Sequence, residues 1–349
     1  MKNRSAAALA GLLTLTVGLR AGGFSSSAKG TSAADFLKVG MGARPLALGE
    51  AYTALADDAL ALSWNPAGLA RTPHLSVVLA HTAYLESINF EHAAVALKLP
   101  LGLAVGGALQ FQTVGDVTGR DNTGAATGGL SPKDMAFALG AAQNLGVLSV
   151  GLTGRFVKSE LADAADTVAF DAGVLTGPLL GDRVRLGATA ANLGGKLKFD
   201  DASNPLPVTY RAGAAVRVSP AFLVTADAIL RRDNKPVAAG GVEWNLPATS
   251  GWTFAVRGGY NTRTAGDVGG LTGLSAGLGF GFKTIADRLR PRPSGGFGPH
   301  PPPLPLPPSL KKKRRRPKPT APEISSFTLL WGETRDRPLA PASLRPRKP

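Results

Sequence analysis

The chain has no cysteine, which removes disulfides, thiolate metal sites and cysteine nucleophiles together. Histidine is scarce: His74, His81, His92 and His300 are the only four, and none falls in a ligand spacing such as HExxH. Charged residues make up 18%, against about 25% in an average soluble domain. Beyond the N-terminus no run of about twenty apolar residues exists, which excludes helical membrane spans. What is abundant is glycine, 44 of 349 residues. Large aliphatic cores do not call for so much of it, whereas barrels packed closely on both faces do.

The formal net charge of +15 is localised. From Pro291 onward there are thirteen Lys/Arg against three acids, and sixteen of the 27 prolines. The chain before that stretch is close to neutral once the basic N-terminal residues are set aside, so the charge does not describe the fold. At the other end, Lys2 and Arg4 precede an apolar run over 6–19 and then small and polar residues to Ala28. That is the n-region, h-region and small-residue cleavage zone of a signal peptide over 1–28, with Arg20 an awkward member, and it implies export.

From about Leu75 to Lys283, segments of about ten residues alternate apolar and polar at the period of a strand. Val208, Tyr210, Ala212, Ala214, Val216 and Val218 alternate with Thr209, Arg211, Gly213, Ala215 and Arg217; Leu274, Ala276, Leu278, Phe280 and Phe282 alternate with serine and glycines. About twelve such strands are predicted. Alternation alone fits a soluble sandwich as well as a membrane barrel. Length decides: tilted membrane strands need about nine to eleven residues, and these have them, with Gly, Thr, Ser and isolated Arg on the second face. Trp244, Trp252 and Tyr260 near strand ends suit interfacial girdles. Ahead of the strands, Leu46, Leu48, Tyr52 and Leu55 fall at helical spacing. Ser63-Trp64-Asn65-Pro66-Ala67-Gly68-Leu69-Ala70 reads as a capped turn, with Asn65 accepting from backbone N–H groups, Pro66 at the first helical position and Gly68 allowing a tight exit. A short helical segment before a barrel is most simply a plug in its lumen.

Three blocks carry a resemblance. Phe36-Leu37-Lys38-Val39-Gly40-Met41-Gly42-Ala43-Arg44, Leu48-Gly49-Glu50-Ala51-Tyr52-Thr53-Ala54-Leu55-Ala56-Asp57-Asp58 and Trp64-Asn65-Pro66-Ala67-Gly68-Leu69-Ala70 resemble the start of the PorV/PorQ family. The resemblance is close over about forty residues and looser to about Lys283. It implies a FadL-like, fourteen-stranded outer-membrane barrel, an Asn-Pro-Ala motif in the lumen, and a link to type IX secretion, in which some members receive exported cargo.

Twelve strands leave such a barrel two short, with open edges in lipid. The tail offers a way out through the genetic code. The resemblance implies one further strand resembling LDYA, a turn resembling PLGDLG and a last strand resembling THRLSLSLRF; read one base downstream, Arg288 to Ser309 is compatible with DYALVPLGDLGPTHRLSLSLR when codons are chosen to fit, and Leu310 followed by Lys311 can supply a stop codon. The residue before that stop cannot be the family's usual phenylalanine. The resulting domain expectation is a signal peptide (1–28), a lumenal plug (29–71), barrel strands (72–286) and a disordered Pro/Arg-rich tail (287–349) produced by a shifted frame that replaces the last two strands. The contrasting reading is a native Pro-rich basic tail able to bind anionic surfaces.

Asp57 and Asp58 are adjacent and point apart, so an acid/base pair is disfavoured and an ion pair of one of them with Arg44 is expected. Arg155, Arg211, Arg217 and Arg257 fall on the polar face of their strands, with Asp227 and Glu243 as counter-charges; pairing with the plug is expected ahead of lining a pore. Gly277–Gly281 alternate at strand period with no helix following, so no phosphate loop is indicated. The functional expectation is a non-enzymatic outer-membrane barrel without cofactor or metal, involved in secretion or cargo presentation. Its expected partners are outer-membrane lipid and secretion-machinery proteins or cargo. The first alternative is FadL-like passage of a small hydrophobic ligand. The second is a soluble β-protein with a nucleic-acid-binding tail, although no nucleic-acid partner is expected of an exported chain.

Overall fold

The computed structural model describes residues 24–282, apart from 85–86, 116, 121–122, 161–162, 200, 248–251 and 264–271. The expected signal peptide (1–28) as far as residue 23, and the whole of the expected tail (287–349), lie outside the described residues. The alternating segments form strands: β1 Leu75–Ala83, β2 Asn89–Lys98, β3 Leu103–Thr113, β4 Val117–Arg120, β5 Ala126–Leu130, β6 Lys133–Asn144, β7 Leu148–Glu160 and β8 Ala164–Thr176. They continue as β9 Val184–Gly194, β10 Lys196–Phe199, β11 Ala202–Pro205, β12 Thr209–Arg217, β13 Phe222–Arg231, β14 Val237–Pro247, β15 Trp252–Asn261 and β16 Leu274–Phe282.

Twelve of them make one antiparallel sheet in the order β1-β2-β3-β6-β7-β8-β9-β12-β13-β14-β15-β16. The fold is thus that of an antiparallel β-barrel with an N-terminal plug, with β1 and β16 each paired on one side only among the described residues. Two further hairpins, β4–β5 and β10–β11, form separate two-stranded sheets. Sequence alternation did not anticipate them, because strands of four or five residues, rich in Gly, Ser and Asn, carry too few apolar positions to set a period.

The faces of the sheet are inverted relative to a soluble protein. Leu139, Leu152, Phe170, Leu278 and Phe280 point outward and are 58–67% exposed. Positions of the opposite parity, such as Thr153 and Asp171 beside two of them and Thr225, Asp227 and Glu243 on other strands, point inward and are buried. An apolar outer skin continuous over twelve strands far exceeds the patches that soluble monomers tolerate; hydrocarbon is the solvent that suits it. Trp244, Trp252 and Tyr260 lie on this skin, about half exposed. No helix among the described residues is long and apolar enough to cross a membrane.

The two ends differ. Short connections such as 99–102, 145–147 and 218–221 join strands at one end, while 114–132 and 195–208 carry the extra hairpins at the other. Residues 24–42 cover the long-loop end, where Phe24 N–H donates to Arg232 O (2.7 Å) and Ala33 N–H to Pro205 O (2.9 Å). The chain then threads the interior to reach β1 at the short-turn end. Among the described residues only Ala43–Ala47 and Ala61–Trp64 are α-helical, and Pro66–Arg71 is a 3-10 helix. The helical spacing of Leu48, Tyr52 and Leu55 therefore does not mark a helix; these residues are buried in turns, their placement set by the strands around them.

Candidate functional site

The interface between the threaded segment and the inner wall is where the polar and glycine residues converge. Inward positions on successive strands are glycines because backbone lies against them. A Cβ on Gly151 would sit 2.3 Å from Pro66 C, on Gly187 2.6 Å from Thr53 O, on Gly241 2.6 Å from Leu48 O, and on Gly259 2.1 Å from Gly49 N. None of these contacts is with the end of a flexible side chain, so the neighbours could not simply move aside. Leu48, Tyr52, Leu62 and Leu69 are completely buried as a result.

The Asn-Pro-Ala turn anchors the middle. Asn65 Oδ1 accepts from Ala67 N–H (3.2 Å), and its Nδ2 donates to Thr53 O (2.9 Å) and to Val174 O on β8 (3.1 Å). One side chain thereby caps the 3-10 helix, ties two plug turns together and fastens them to the wall. Pro66 is the first residue of that helix. Gly68 does not act through conformational freedom: a Cβ there would meet Ala56 O at 2.4 Å, so close packing is what requires it.

Two charge clusters flank this turn. In one, Glu243 on β14 accepts from Arg44 Nε (2.8 Å) and Nη2 (3.1 Å) and from Arg257 Nε (2.7 Å), while Arg44 Nη1 also pairs with Asp57 (2.9 Å). Burial would lower the Arg44 pKa, but Tyr52, Asp57 and Glu243 hold it well above its ordinary value. Asp58 accepts from Leu60 N–H (2.9 Å) and Tyr52 OH (3.3 Å). Burial first, and the Asp57 carboxylate second, push its pKa up to about 6. In the other cluster, Glu50 pairs with Arg231 (3.2 Å) and Arg263. Burial opposes its ionisation, but Arg263, Arg231 and Arg211 outweigh burial and keep its pKa below the ordinary carboxylate value.

The remaining singled-out residues are dispersed around the wall. Arg155 pairs with Asp171 (2.7 Å) and reaches Leu62 O; Arg211 stacks over Trp64, 4.8 Å from its ring centroid. Asp227 accepts the N–H groups of Tyr52 (3.1 Å) and Thr53 (3.0 Å). Arg217 stands exposed at the short-turn end of β12. Sequence reasoning missed Glu50, Asp171, Arg231 and Arg263. Counting by twos from Asp227 along β13 leads to Arg231, so that residue was reachable; Glu50 sits in an irregular turn at φ 72°, and Arg263 follows its strand, where no period points to them. Outside the lumen, a groove of about 900 Å³ on the apolar skin is lined by Leu75, Val95, Leu97, Leu139, Leu152 and Phe170 among others.

This is the architecture of a membrane β-barrel closed internally by its own N-terminal segment. A family model described as "Uncharacterised protein family (UPF0164)" matches residues 13–158. No curated protein matches the chain. Among solved structures, the TodX deltaS2S3 mutant, a monoaromatic hydrocarbon channel, is similar with a TM-score of 0.50 at 14% identity, over 71% of this chain and 91% of that one. The Pseudomonas putida toluene transporter TodX gives 0.48 at 13% identity, covering 71% and 90%. A Pseudomonas aeruginosa FadL homologue gives 0.44 at 11% identity, covering 69% and 86%. At such identities the likeness to the TodX variant is one of fold.

Proposed function

We propose that this chain is a bacterial outer-membrane barrel of the PorV/PorQ type, which anchors or presents exported proteins and does not provide open passage through its lumen. The observation that carries this reading is the filled interior. Leu48, Tyr52, Leu62 and Leu69 have essentially no exposure, and the segment holding them is fixed by buried ion pairs to two strands, β13 and β14. The threaded blocks are also those that resemble the family. Short turns at one end and hairpin-bearing loops at the other fit a periplasmic and an extracellular side respectively, which puts β4–β5 and β10–β11 where exported partners arrive.

A second reading is passage of small hydrophobic molecules, favoured by the apolar groove on the wall and by the fold shared with a monoaromatic hydrocarbon channel. The two readings separate in a transport assay paired with a gene deletion. In proteoliposomes the carrier reading gives no conductance steps and no accelerated entry of a monoaromatic probe, and deletion of the gene depletes surface-exposed proteins. Rapid probe entry, with surface proteins intact after deletion, overturns it in favour of the second reading.

A further inference from the structure

We propose that the short-turn mouth of the barrel is a docking site for an acidic, extended segment of a partner polypeptide, held by Arg71, Arg183, Arg185 and Arg217. The inference takes its orientation from the reading above, in which this end faces the periplasm; its chemistry does not depend on the secretion role.

The charge at this end is of one sign. Of the connections there, 99–102, 145–147, 177–183, 218–221 and 248–251, only one contains an acid, Asp182. The long-loop connections mix signs, as in Arg232, Asp233 and Lys235. Strand register gathers the arginines. Arg217 N–H donates to Arg183 O (2.7 Å), so these two residues face each other, and Arg185 pairs with Ala215 two residues along. Ala215 is buried on the inner face, which by period two places Arg185 and Arg217 at inward positions as well. Arg71 ends the 3-10 helix and its Nη2 donates to Thr176 O (2.7 Å) at the end of β8. Burial first, and the neighbouring Arg185 second, hold the Arg71 pKa below its ordinary value, while Asp57 opposes them. The four guanidiniums thus belong to one cluster.

Among the described residues nothing neutralises them. Arg183, Arg185 and Arg217 make no side-chain hydrogen bond or ion pair there. Asp57 already pairs with Arg44 (2.9 Å), and Asp58 is occupied by Tyr52 and Leu60. Like charges facing each other across a strand pair destabilise a sheet; a partner's carboxylates reverse that effect. Inward positions lie away from the lipid-facing rim, which disfavours lipid headgroups as the occupant. Spacing then favours a peptide over a single small anion. The Cβ atoms of directly opposed residues are about 5 Å apart and diagonal ones about 7–8 Å, while alternate residues of an extended chain are about 7 Å apart. Carboxylates at every second position of an extended segment therefore meet successive guanidiniums, whose planar forks donate to them in pairs.

The test titrates the full chain in detergent with a quencher-bearing peptide of alternating glutamate and serine, about twelve residues long so that it spans the cluster. The chain has no cysteine, so a fluorophore on Leu180→Cys, exposed in the turn before Arg183, reports on this mouth. A fluorophore on Asn204→Cys, exposed in β11, reports on the long-loop end. Saturable quenching is expected from the first label and not from the second, and it should weaken as salt rises. Arg183→Gln, Arg185→Gln and Arg217→Gln combined should weaken binding about tenfold or more, the sum of three solvent-accessible ion pairs. The corresponding triple lysine variant keeps the charge and should retain part of the binding.

Quenching that is unchanged in the glutamine variant overturns the proposal, because the peptide is then held elsewhere, as on the basic run Lys311–Arg316 that every variant keeps. Inorganic phosphate that displaces the peptide at equal concentration overturns it in favour of a small-anion site. Displacement by micelles doped with phosphatidylglycerol, but not with phosphatidylcholine, overturns it in favour of a lipid headgroup. Thermal midpoints check that each variant is folded. Should the triple variant fail to fold, Arg217→Gln alone, at an exposed position, carries the test with an expected loss of about twofold to threefold; no loss there overturns the proposal. Peptide binding in detergent is read independently of conductance and of surface-protein depletion, so failure of this site and failure of the carrier reading are told apart.

Discussion

Glu243→Gln is the substitution that most directly probes how the threaded segment is held. Glu243 is 5% exposed and receives three guanidinium hydrogen bonds, two from Arg44 and one from Arg257. The amide keeps one acceptor and loses the charge. Arg44 retains Asp57 at 2.9 Å, but Arg257, only 12% exposed, is left with no carboxylate. Breaking a buried pair by removing one partner costs about 3–5 kcal/mol. The surviving Arg44–Asp57 contact places the expected loss at the lower end, about 3 kcal/mol. Urea unfolding of the refolded protein, followed through the emission of buried Trp64, should show it as a lower midpoint at unchanged slope. Adding Arg257→Gln should recover part of the loss, since the uncompensated charge then disappears. A loss under about 1 kcal/mol, with no recovery in the double variant, would refute the view that these ion pairs pin the segment.

The Asp58 carboxyl has a folded pKa of about 6, above its ordinary value of 3.8. The folded state therefore binds the proton more tightly, and this group's contribution falls as pH rises from about 4 to 6. Asp58→Asn should stabilise the protein at pH 8 and flatten that part of the pH–stability curve; an unchanged curve contradicts the assignment. Gly187→Val drives a side chain toward Thr53 O, 2.6 Å from the Cβ position, and should cost about 1–3 kcal/mol through overpacking. The same substitution at Gly154, whose nearest neighbour is 3.9 Å away on the outward face, should be tolerated, as thermal midpoints will show. Leu152→Arg puts a charge in mid-skin and should cost about 2–4 kcal/mol of stability in lipid bilayers; a cost near zero would mean that β7 does not face hydrocarbon.

The strands were legible because period two survives whichever solvent lies outside. β12, β13, β15 and β16 match their alternating segments to within a residue or two, and the inward placement of Arg155, Arg211, Asp227 and Glu243 follows from the same count. The threaded segment was harder to read. Its residues are fixed by twelve strands distant in sequence, so Leu48, Tyr52 and Leu55 mimic a helix although only Ala43–Ala47 and Ala61–Trp64 form one. Pairings were the least legible part. Arg44–Asp57 lies within one short stretch, whereas Arg44–Glu243 and Glu50–Arg231 join residues 199 and 181 apart, and only the sheet wrapped around the threaded segment brings them together. The many glycines were visible as composition, but their cause, backbone packed against the inner wall, emerges only from the fold.

The central claim is the inverted wall, and single-cysteine labelling tests it most directly. Spin labels would be placed at Leu152, Val168 and Leu278 on the outward face and at Thr153 and Ala169 on the inward face, in protein reconstituted into liposomes. The account predicts an alternation of period two: outward labels collide freely with oxygen dissolved in lipid and resist water-soluble nickel reagents, while inward labels are shielded from both. Outward labels that meet the nickel reagent as readily as residues in the long loops, with no enhancement by oxygen, would contradict it.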